Sequence, residues 1–137
     1  MGEPIRSFAE EAGLVMRRPP KTSYTMPALE ATEYAYQEGR FYAFHHAAYK
    51  AFWEYGKDLE DISVLKEVAD ESGLDSNGLE QCLREERYRG VVKEQYQDAL
   101  SKGVDGIPSF LLGKLFFSGA EHYDIFRRIM EMALQRG

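Results

Sequence analysis

The stretch Gly103–Gly119, GVDGIPSFLLGKLFFSG, constrains the fold of this chain more than any other. Within it, the two-residue link Gly113–Lys114 joins two short apolar runs, Ile107–Leu112 and Leu115–Phe117. Short runs rich in Phe and Leu on either side of a link that contains glycine predict a β-hairpin. Pro108 suits the first residue of a strand or an edge strand, because proline has no N–H to donate to a β-ladder.

Both faces of this predicted hairpin are apolar. Phe110, Leu111 and Leu112 are consecutive, and so are the three residues of the second run, Leu115–Phe117. Since successive side chains of a strand point to opposite faces, we expect cover on both sides of the hairpin. A final helix over about 122–135 can cover one face only. The open questions are what covers the second face and what extends the two strands.

The rest of the chain carries helical hydrophobic periodicity and helix boundary signals. Thr25, Asp61 and Asp75 are predicted helix N-caps, because their side-chain oxygens can accept from the first main-chain N–H groups. A break with extended backbone is expected over 17–20, where two prolines follow two arginines. The predicted fold class is therefore α+β and mostly helical, with helices over about 4–12, 25–37, 40–55, 61–72 and 88–102, another after Asp75, and the final helix.

Composition and charge argue against several classes of function. At 137 residues the chain has the length of one domain, and its formal charge of −6 argues against a nucleic-acid-binding surface. No apolar run approaches the roughly 20 residues that a membrane span requires, so we expect no membrane partner. The N-terminus lacks a basic segment followed by an apolar one, which predicts no signal peptide. With a single cysteine, these features favour a cytoplasmic chain or a fragment.

That cysteine, Cys82, is either a redox thiol or a core residue. It lies between Leu79 and Leu83 on the apolar face of a predicted helix, where a buried cysteine behaves as a small hydrophobic residue. No second cysteine follows three residues later. We therefore favour the structural interpretation.

Candidate metal ligands and aromatic residues also have simpler interpretations. His45 and His46 are adjacent on a helix, about 100° apart, so they cannot easily chelate one ion with His122. The acidic turn 58–61 lacks the glycine and the spacing of an EF-hand loop. We expect no metal site and no cofactor. Five tyrosines could line a ligand groove, but aromatic stripes at helical spacing usually belong to a core, which is the interpretation we favour for Tyr24, Tyr34, Tyr36, Tyr42 and Tyr49.

The order of these segments resembles the C-terminal two-thirds of DsbA-family proteins, which have a thioredoxin fold. The most specific match is GVDGIPSF, Gly103–Phe110, followed by Ser118–Ala120. The FrnE-like branch, whose relatives include 2-hydroxychromene-2-carboxylate isomerases, is the most similar. Its helical insertion resembles several segments of this chain: Ala28–Ala31, Tyr34–Ala35, Gly39–Phe41, Phe44–His45, Gly56–Leu59 and Gly73–Asp75.

This resemblance implies an incomplete thioredoxin-like (DsbA) fold with a helical insertion, one β-hairpin and a C-terminal helix. It implies one truncated domain over residues 1–137, with a helical part over about 4–102 and the hairpin and last helix over about 104–136. The family begins with a strand and a Cys-x-x-Cys motif at the start of a helix, and this chain contains neither. We therefore expect a member of a thiol–disulfide oxidoreductase family that has no catalytic residues and is redox-inactive as this chain.

The resemblance also implies a binding site at Gly106, Ile107 and Pro108. In the family the proline that matches Pro108 follows a cis peptide bond, and the residue before it offers main-chain groups to a substrate peptide or to glutathione. Two alternatives to a redox protein remain open. The chain could be a non-catalytic module that binds a peptide or glutathione, or an assembly subunit that pairs with a thiol-containing chain.

Self-association is the last expectation from the sequence. In the thioredoxin arrangement, the strand that begins at Pro108 pairs on one side with the strand over Lys114–Ser118 and on the other with the strand before the Cys-x-x-Cys motif. Without that second neighbour the Phe110–Leu112 edge is open, and an open apolar edge recruits another strand. We expect a symmetric homodimer through this edge. Alternatively, the N-terminal segment folds over the edge and the chain stays monomeric.

Overall fold

The computed structural model of the chain describes residues 3–17, 21 and 24–136. These residues form seven α-helices and one antiparallel two-stranded sheet, which confirms a mostly helical α+β chain. The predicted break at 17–20 lies largely outside the described residues. The elements are α1 (Glu3–Glu11), α2 (Met26–Gln37), α3 (Phe41–Trp53), α4 (Ile62–Glu71), α5 (Ser76–Arg84), α6 (Arg89–Ser101), β1 (Ser109–Leu112), β2 (Leu115–Ser118) and α7 (Tyr123–Arg136).

The chain divides into two compact units, residues 1–95 and 96–137. The boundary between them falls inside α6. The single domain expected from the sequence stays a prediction. Among the described residues, no helix is both long and apolar enough to cross a lipid bilayer.

The first unit has a core of small and large apolar residues from α2 to α5. Alanines of α2 and α3, such as Ala31 and Ala47, are buried and let the two helices approach closely. The larger side chains Phe44, Leu65 and Leu79 fill the space among the helices and have no exposed surface. Cys82 belongs to the same buried cluster.

Local capping sets the beginnings of α4 and α5 as the sequence predicts. Asp61 accepts from the main-chain N–H of Ser63 at 2.8 Å, and Asp75 accepts from that of Asn77 at 3.1 Å. The expected cap at Thr25 is wrong, because its side chain makes no capping hydrogen bond. Its backbone is already helical rather than extended, and Pro27 in the first turn has no N–H to offer.

The second unit contains the predicted hairpin. Leu112 pairs with Leu115 across the Gly113–Lys114 turn, and Gly113 has a φ of +61°, which suits the first central position of a type II′ turn. One face of the sheet packs on α7 through three aromatic rings, those of Phe110, Phe117 and Phe126.

The opposite face of the hairpin differs from the expectation that both faces are covered. Leu111 is 57% exposed and Phe116, its cross-strand neighbour, is 40% exposed. The hairpin therefore presents an apolar outer face to solvent, as the limited reach of one final helix predicts.

Candidate functional site

The loop before β1 is held at two points. The Ser109 hydroxyl donates to the main-chain oxygen of Gly106 at 2.6 Å, which closes the loop over the residues between them. The main-chain N–H of Gly119 donates to the oxygen of Pro108 at 2.9 Å and so extends the ladder by one position. The Ile107–Pro108 peptide bond between these two contacts is cis.

Ile107 is the most exposed part of this loop. Its side chain is 94% exposed, an unusual position for a large apolar residue. Neither its main-chain N–H nor its C=O makes a hydrogen bond with another described residue. The loop thus offers both a main-chain donor and acceptor and an apolar side chain to a ligand.

The free edge of β1 continues this row of main-chain groups. In an antiparallel pair, residues alternate between those that bond the neighbouring strand and those that point away from it. The bond from Gly119 to Pro108 and the two-residue turn fix this alternation, so Phe110 and Leu112 bond β2. The N–H and C=O groups of Ser109 and Leu111 therefore point to the open edge and have no partner among the described strands.

The structure thus brings together the sequence-predicted residues Gly106, Ile107 and Pro108, and adds Ser109 and Leu111 to them. Sequence reasoning named the edge as Phe110–Leu112 without separating inward from outward main-chain groups. The Gly113–Lys114 link could have predicted which main-chain groups point outward. The residues on either side of a two-residue turn form a hydrogen-bonded pair, and this pair fixes which residues of β1 bond β2 and which point to the open edge.

Cys82 has the environment that the sequence predicts. It is a buried free cysteine within the core of the first unit. Burial raises the pKa of its thiol, which disfavours the thiolate. Because the thiolate is the reactive form, this environment makes Cys82 a poor nucleophile.

The residues considered as metal ligands serve other contacts. The His45 ring stacks between those of Phe41, at 5.4 Å, and Tyr49, at 4.3 Å. In the acidic turn, Asp58 and Glu60 form ion pairs with Lys21 at 2.7 and 3.3 Å. Across the part of the chain that the structure describes, no three His, Cys, Asp or Glu side chains are grouped to hold a metal ion.

The core interpretation of the tyrosines is wrong for four of the five. Only Tyr34 is buried; the exposed residues are Tyr24, Tyr36, Tyr42 and Tyr49. For Tyr36, Tyr42 and Tyr49, which lie on α2 and α3, the reason is that alanines and Phe44 already fill the space between these two helices. The alternative of a groove lined by tyrosines therefore becomes relevant for α3.

Comparisons with known proteins agree with this architecture. The chain is 24% identical over 127 residues to the uncharacterized protein YwbO of Bacillus subtilis, an alignment that covers 90% of this chain and 64% of YwbO. It is 30% identical over 94 residues to the 2-hydroxychromene-2-carboxylate isomerase of Sphingobium xenophagum, covering 69% of this chain and 48% of the isomerase.

A solved structure gives the same fold. The chain superposes on a probable DsbA oxidoreductase from Streptomyces coelicolor with a TM-score of 0.88 and 24% identity, covering 98% of this chain and 59% of the oxidoreductase. The chain thus spans between about half and two-thirds of the length of these relatives. Residues 1–131 match the family model of the DSBA-like thioredoxin domain, and the chain therefore belongs to that family.

Proposed function

We propose that this chain is the peptide-binding part of a DsbA-type thiol–disulfide oxidoreductase, and that residues 1–137 alone do not exchange disulfides. The observation that carries the binding proposal is the open edge of β1. Ile107, Ser109 and Leu111 each present an N–H and a C=O that no described residue bonds. An extended peptide satisfies such a row by adding a strand to the sheet.

The side chains around this edge define what the peptide contacts. In a strand added beside β1, alternate side chains point to the outer face of the hairpin, where Leu111 and Phe116 are exposed. Apolar peptide residues at those positions bury surface that is otherwise in water. The main-chain bonds supply affinity for any sequence, whereas the outer face favours peptides with alternating apolar residues.

The proposed redox inactivity rests on the chemistry of the only cysteine. Disulfide exchange requires a thiolate that attacks a sulfur and a second thiol that resolves the mixed disulfide. Cys82 is buried with a raised thiol pKa and has no second cysteine in the sequence to resolve an intermediate. In this proposal, residues 1–137 do not supply the thiols on which the chemistry of the family depends. A second candidate function is that of an assembly subunit, in which a separate thiol-containing chain supplies them.

An amide titration tests the binding proposal. Addition of a reduced Cys-containing peptide of alternating Val and Thr should shift the amide signals of Ile107, Ser109 and Leu111 while leaving those of β2 nearly unchanged. Glutathione, titrated separately, tests the smaller ligand. Absence of shifts at Ser109 and Leu111 with millimolar peptide and glutathione would contradict binding at the edge.

Two substitutions at one position separate the main-chain from the side-chain contribution. Leu111→Pro removes an outward N–H that the hairpin does not use, and should abolish the peptide-induced shifts. Leu111→Ala keeps that N–H and should weaken binding only in part. Normal binding by the proline variant would refute strand addition. Turnover of insulin disulfides by the purified chain alone would refute the redox-inactive part of the proposal.

A homodimer through the same edge is also proposed for the free chain. Two β1 strands that pair antiparallel would form a continuous four-stranded sheet, in which the outward N–H and C=O groups of Ser109 and Leu111 of both copies find partners. Light scattering after size exclusion should give twice the chain mass, with a monomer for Leu111→Pro. A monomer whose Ser109 and Leu111 amides are protected would instead indicate that another segment of the same chain covers the edge.

A further inference from the structure

A groove in the first unit lies apart from the open edge of β1. It encloses about 620 Å³ between one side of α3 and the segment 14–16. The main-chain N–H of Leu14 donates to the oxygen of Ala9 at 2.8 Å, and that of Arg17 donates to the oxygen of Trp53 at 2.9 Å. These two bonds hold both ends of the segment. Small-molecule sites commonly enclose about 300–1,000 Å³, so the groove has the volume of such a site.

The lining of the groove is too small for an interface between proteins. Ten residues line it. Each side of a stable protein–protein interface uses about 20–30 residues. A second copy of the chain docked in this groove alone would therefore bury too little surface to form a stable dimer. The size favours a small molecule as the occupant.

The lining surface also argues for a ligand without charge. It is almost entirely apolar, and with neutral imidazoles only Lys50 and Glu54 among the lining residues are charged. The Lys50 ammonium lies 5.8 Å from the centroid of the Tyr55 ring, which does not line the groove. A charged ligand would leave water without meeting a paired charge on this surface, and such a transfer is unfavourable.

Aromatic rings form one wall of the groove. Tyr42, His45, Tyr49 and Trp53 line it at intervals of three or four residues, which places them on one side of α3. The rings of His45 and Tyr49 are stacked with their centroids 4.3 Å apart, and Tyr49 still has more than half of its surface exposed. Aromatic pairs attract each other beyond the burial of their area, so this wall favours a ligand that has rings of its own.

We propose that the groove binds a neutral, flat aromatic small molecule. Its rings pack against Tyr49 and Trp53 on the side of α3. On the other side they contact Leu14 and Val15, which are large apolar residues with more than half of their surface exposed. Binding removes this apolar surface from water and leaves no buried charge without a partner. The proposal does not depend on the function of the β1 edge.

Three probes with the same two-ring carbon skeleton test the class of ligand. They are 2-naphthol, which is aromatic and uncharged at neutral pH, decahydro-2-naphthol, which is uncharged but saturated, and 2-naphthoate, which is aromatic but anionic. Trp53 is the only tryptophan of the chain, so its indole N–H gives one NMR signal that reports on the groove. 2-Naphthol should shift this signal saturably. Decahydro-2-naphthol should bind about two- to tenfold more weakly, because it lacks the aromatic pairing. 2-Naphthoate should bind at least about tenfold more weakly, because its carboxylate loses water.

Substitutions of an exposed ring assign the aromatic preference to the groove. Tyr49→Leu should reduce the preference for 2-naphthol over decahydro-2-naphthol, whereas Tyr49→Phe keeps the ring and should keep the preference. Tyr96→Leu is a matched control, because Tyr96 is similarly exposed on α6 and does not line the groove. It should leave all three affinities unchanged.

Four results would overturn the proposal. No shift of the Trp53 indole signal up to about 2 mM 2-naphthol would exclude a useful site. Equal affinities for 2-naphthol and decahydro-2-naphthol would show that the rings of α3 confer no aromatic preference. Binding of 2-naphthoate as tight as that of 2-naphthol would show that the ligand need not be neutral. An unchanged preference in Tyr49→Leu, or the same loss in Tyr96→Leu, would place the aromatic recognition elsewhere.

Discussion

Replacement of Phe126 by alanine should loosen the hairpin without affecting the first unit. The Phe126 ring of α7 is mostly buried and makes edge-to-face contacts with Phe110 at 5.0 Å and with Phe117 at 5.5 Å. Phe110 and Phe117 also stack on each other across the two strands at 4.8 Å. Removal of the third ring exposes this stack and removes both aromatic contacts between Phe126 and the sheet.

The loss of stability expected in Phe126→Ala has two contributions. Aromatic pairs contribute about 0.5–1.5 kcal/mol each beyond the burial of their area, so the two lost pairs account for about 1–3 kcal/mol. The burial of most of a phenylalanine side chain contributes about 1–2 kcal/mol more. Allowing for partial relaxation of the neighbours, we expect Phe126→Ala to lower the stability of the hairpin by about 2–4 kcal/mol.

Hydrogen exchange of the ladder amides measures this effect. The N–H groups of Phe110 and Leu112 bond β2, so their exchange should accelerate by about 30- to 1,000-fold, the equivalent of 2–4 kcal/mol. Phe126→Leu keeps an apolar contact and should give a smaller acceleration. Leu134→Ala removes a residue of the same helix that is 78% exposed, and should change nothing. Unchanged exchange in Phe126→Ala, or an equal effect of Leu134→Ala, would refute the argument.

Two further predictions concern the first unit. Native Cys82 should react slowly with a thiol reagent, and Cys82→Ala should lower the free energy of unfolding by about 1 kcal/mol, as for a small core truncation; rapid labelling would contradict its burial. Hydrogen bonds from Lys66 and Arg84 lower the pKa of Glu80 from 4.5 to about 2. Its contribution to stability should therefore be complete above pH 4.5 and be lost as the pH falls towards 2. Between pH 4.5 and 2, the free energy of unfolding in urea should depend less on pH in Lys66→Met than in the wild-type chain. An identical pH dependence in the two proteins would show that the contact between Lys66 and Glu80 does not contribute to it.

Local signals predicted those parts of the fold that depend on neighbouring residues. The hairpin follows from Gly113–Lys114 between two apolar runs, and the caps of α4 and α5 follow from Asp61 and Asp75, whose oxygens bond the N–H two residues later. At Thr25 the same rule fails, because a helical backbone and a proline in the first turn remove the geometry that a cap requires.

Features that depend on packing between elements distant in sequence could not be predicted from such local signals. The exposure of Tyr42 and Tyr49 follows from alanines that fill the space between α2 and α3, and helical spacing alone does not show which of two apolar faces is buried. The candidate site was predictable only in part. Its loop was predicted from resemblance to a family, whereas the outward direction of the Ser109 and Leu111 groups depends on the pairing register.

The occupants proposed for the β1 edge compete with each other, and this competition is measurable. A peptide, a second copy of the chain and a thiol-containing partner would all bond the same N–H and C=O groups of Ser109 and Leu111, so at most one of them occupies an edge at a time. If the free chain dimerises through this edge, each peptide must displace a subunit, and its apparent affinity must fall as the protein concentration rises. If the edge is open in a monomer, that affinity is independent of protein concentration. Titrations of the alternating Val–Thr peptide at several protein concentrations distinguish these cases. A dimer seen by light scattering together with a peptide affinity that does not depend on protein concentration would place the dimer contact away from β1.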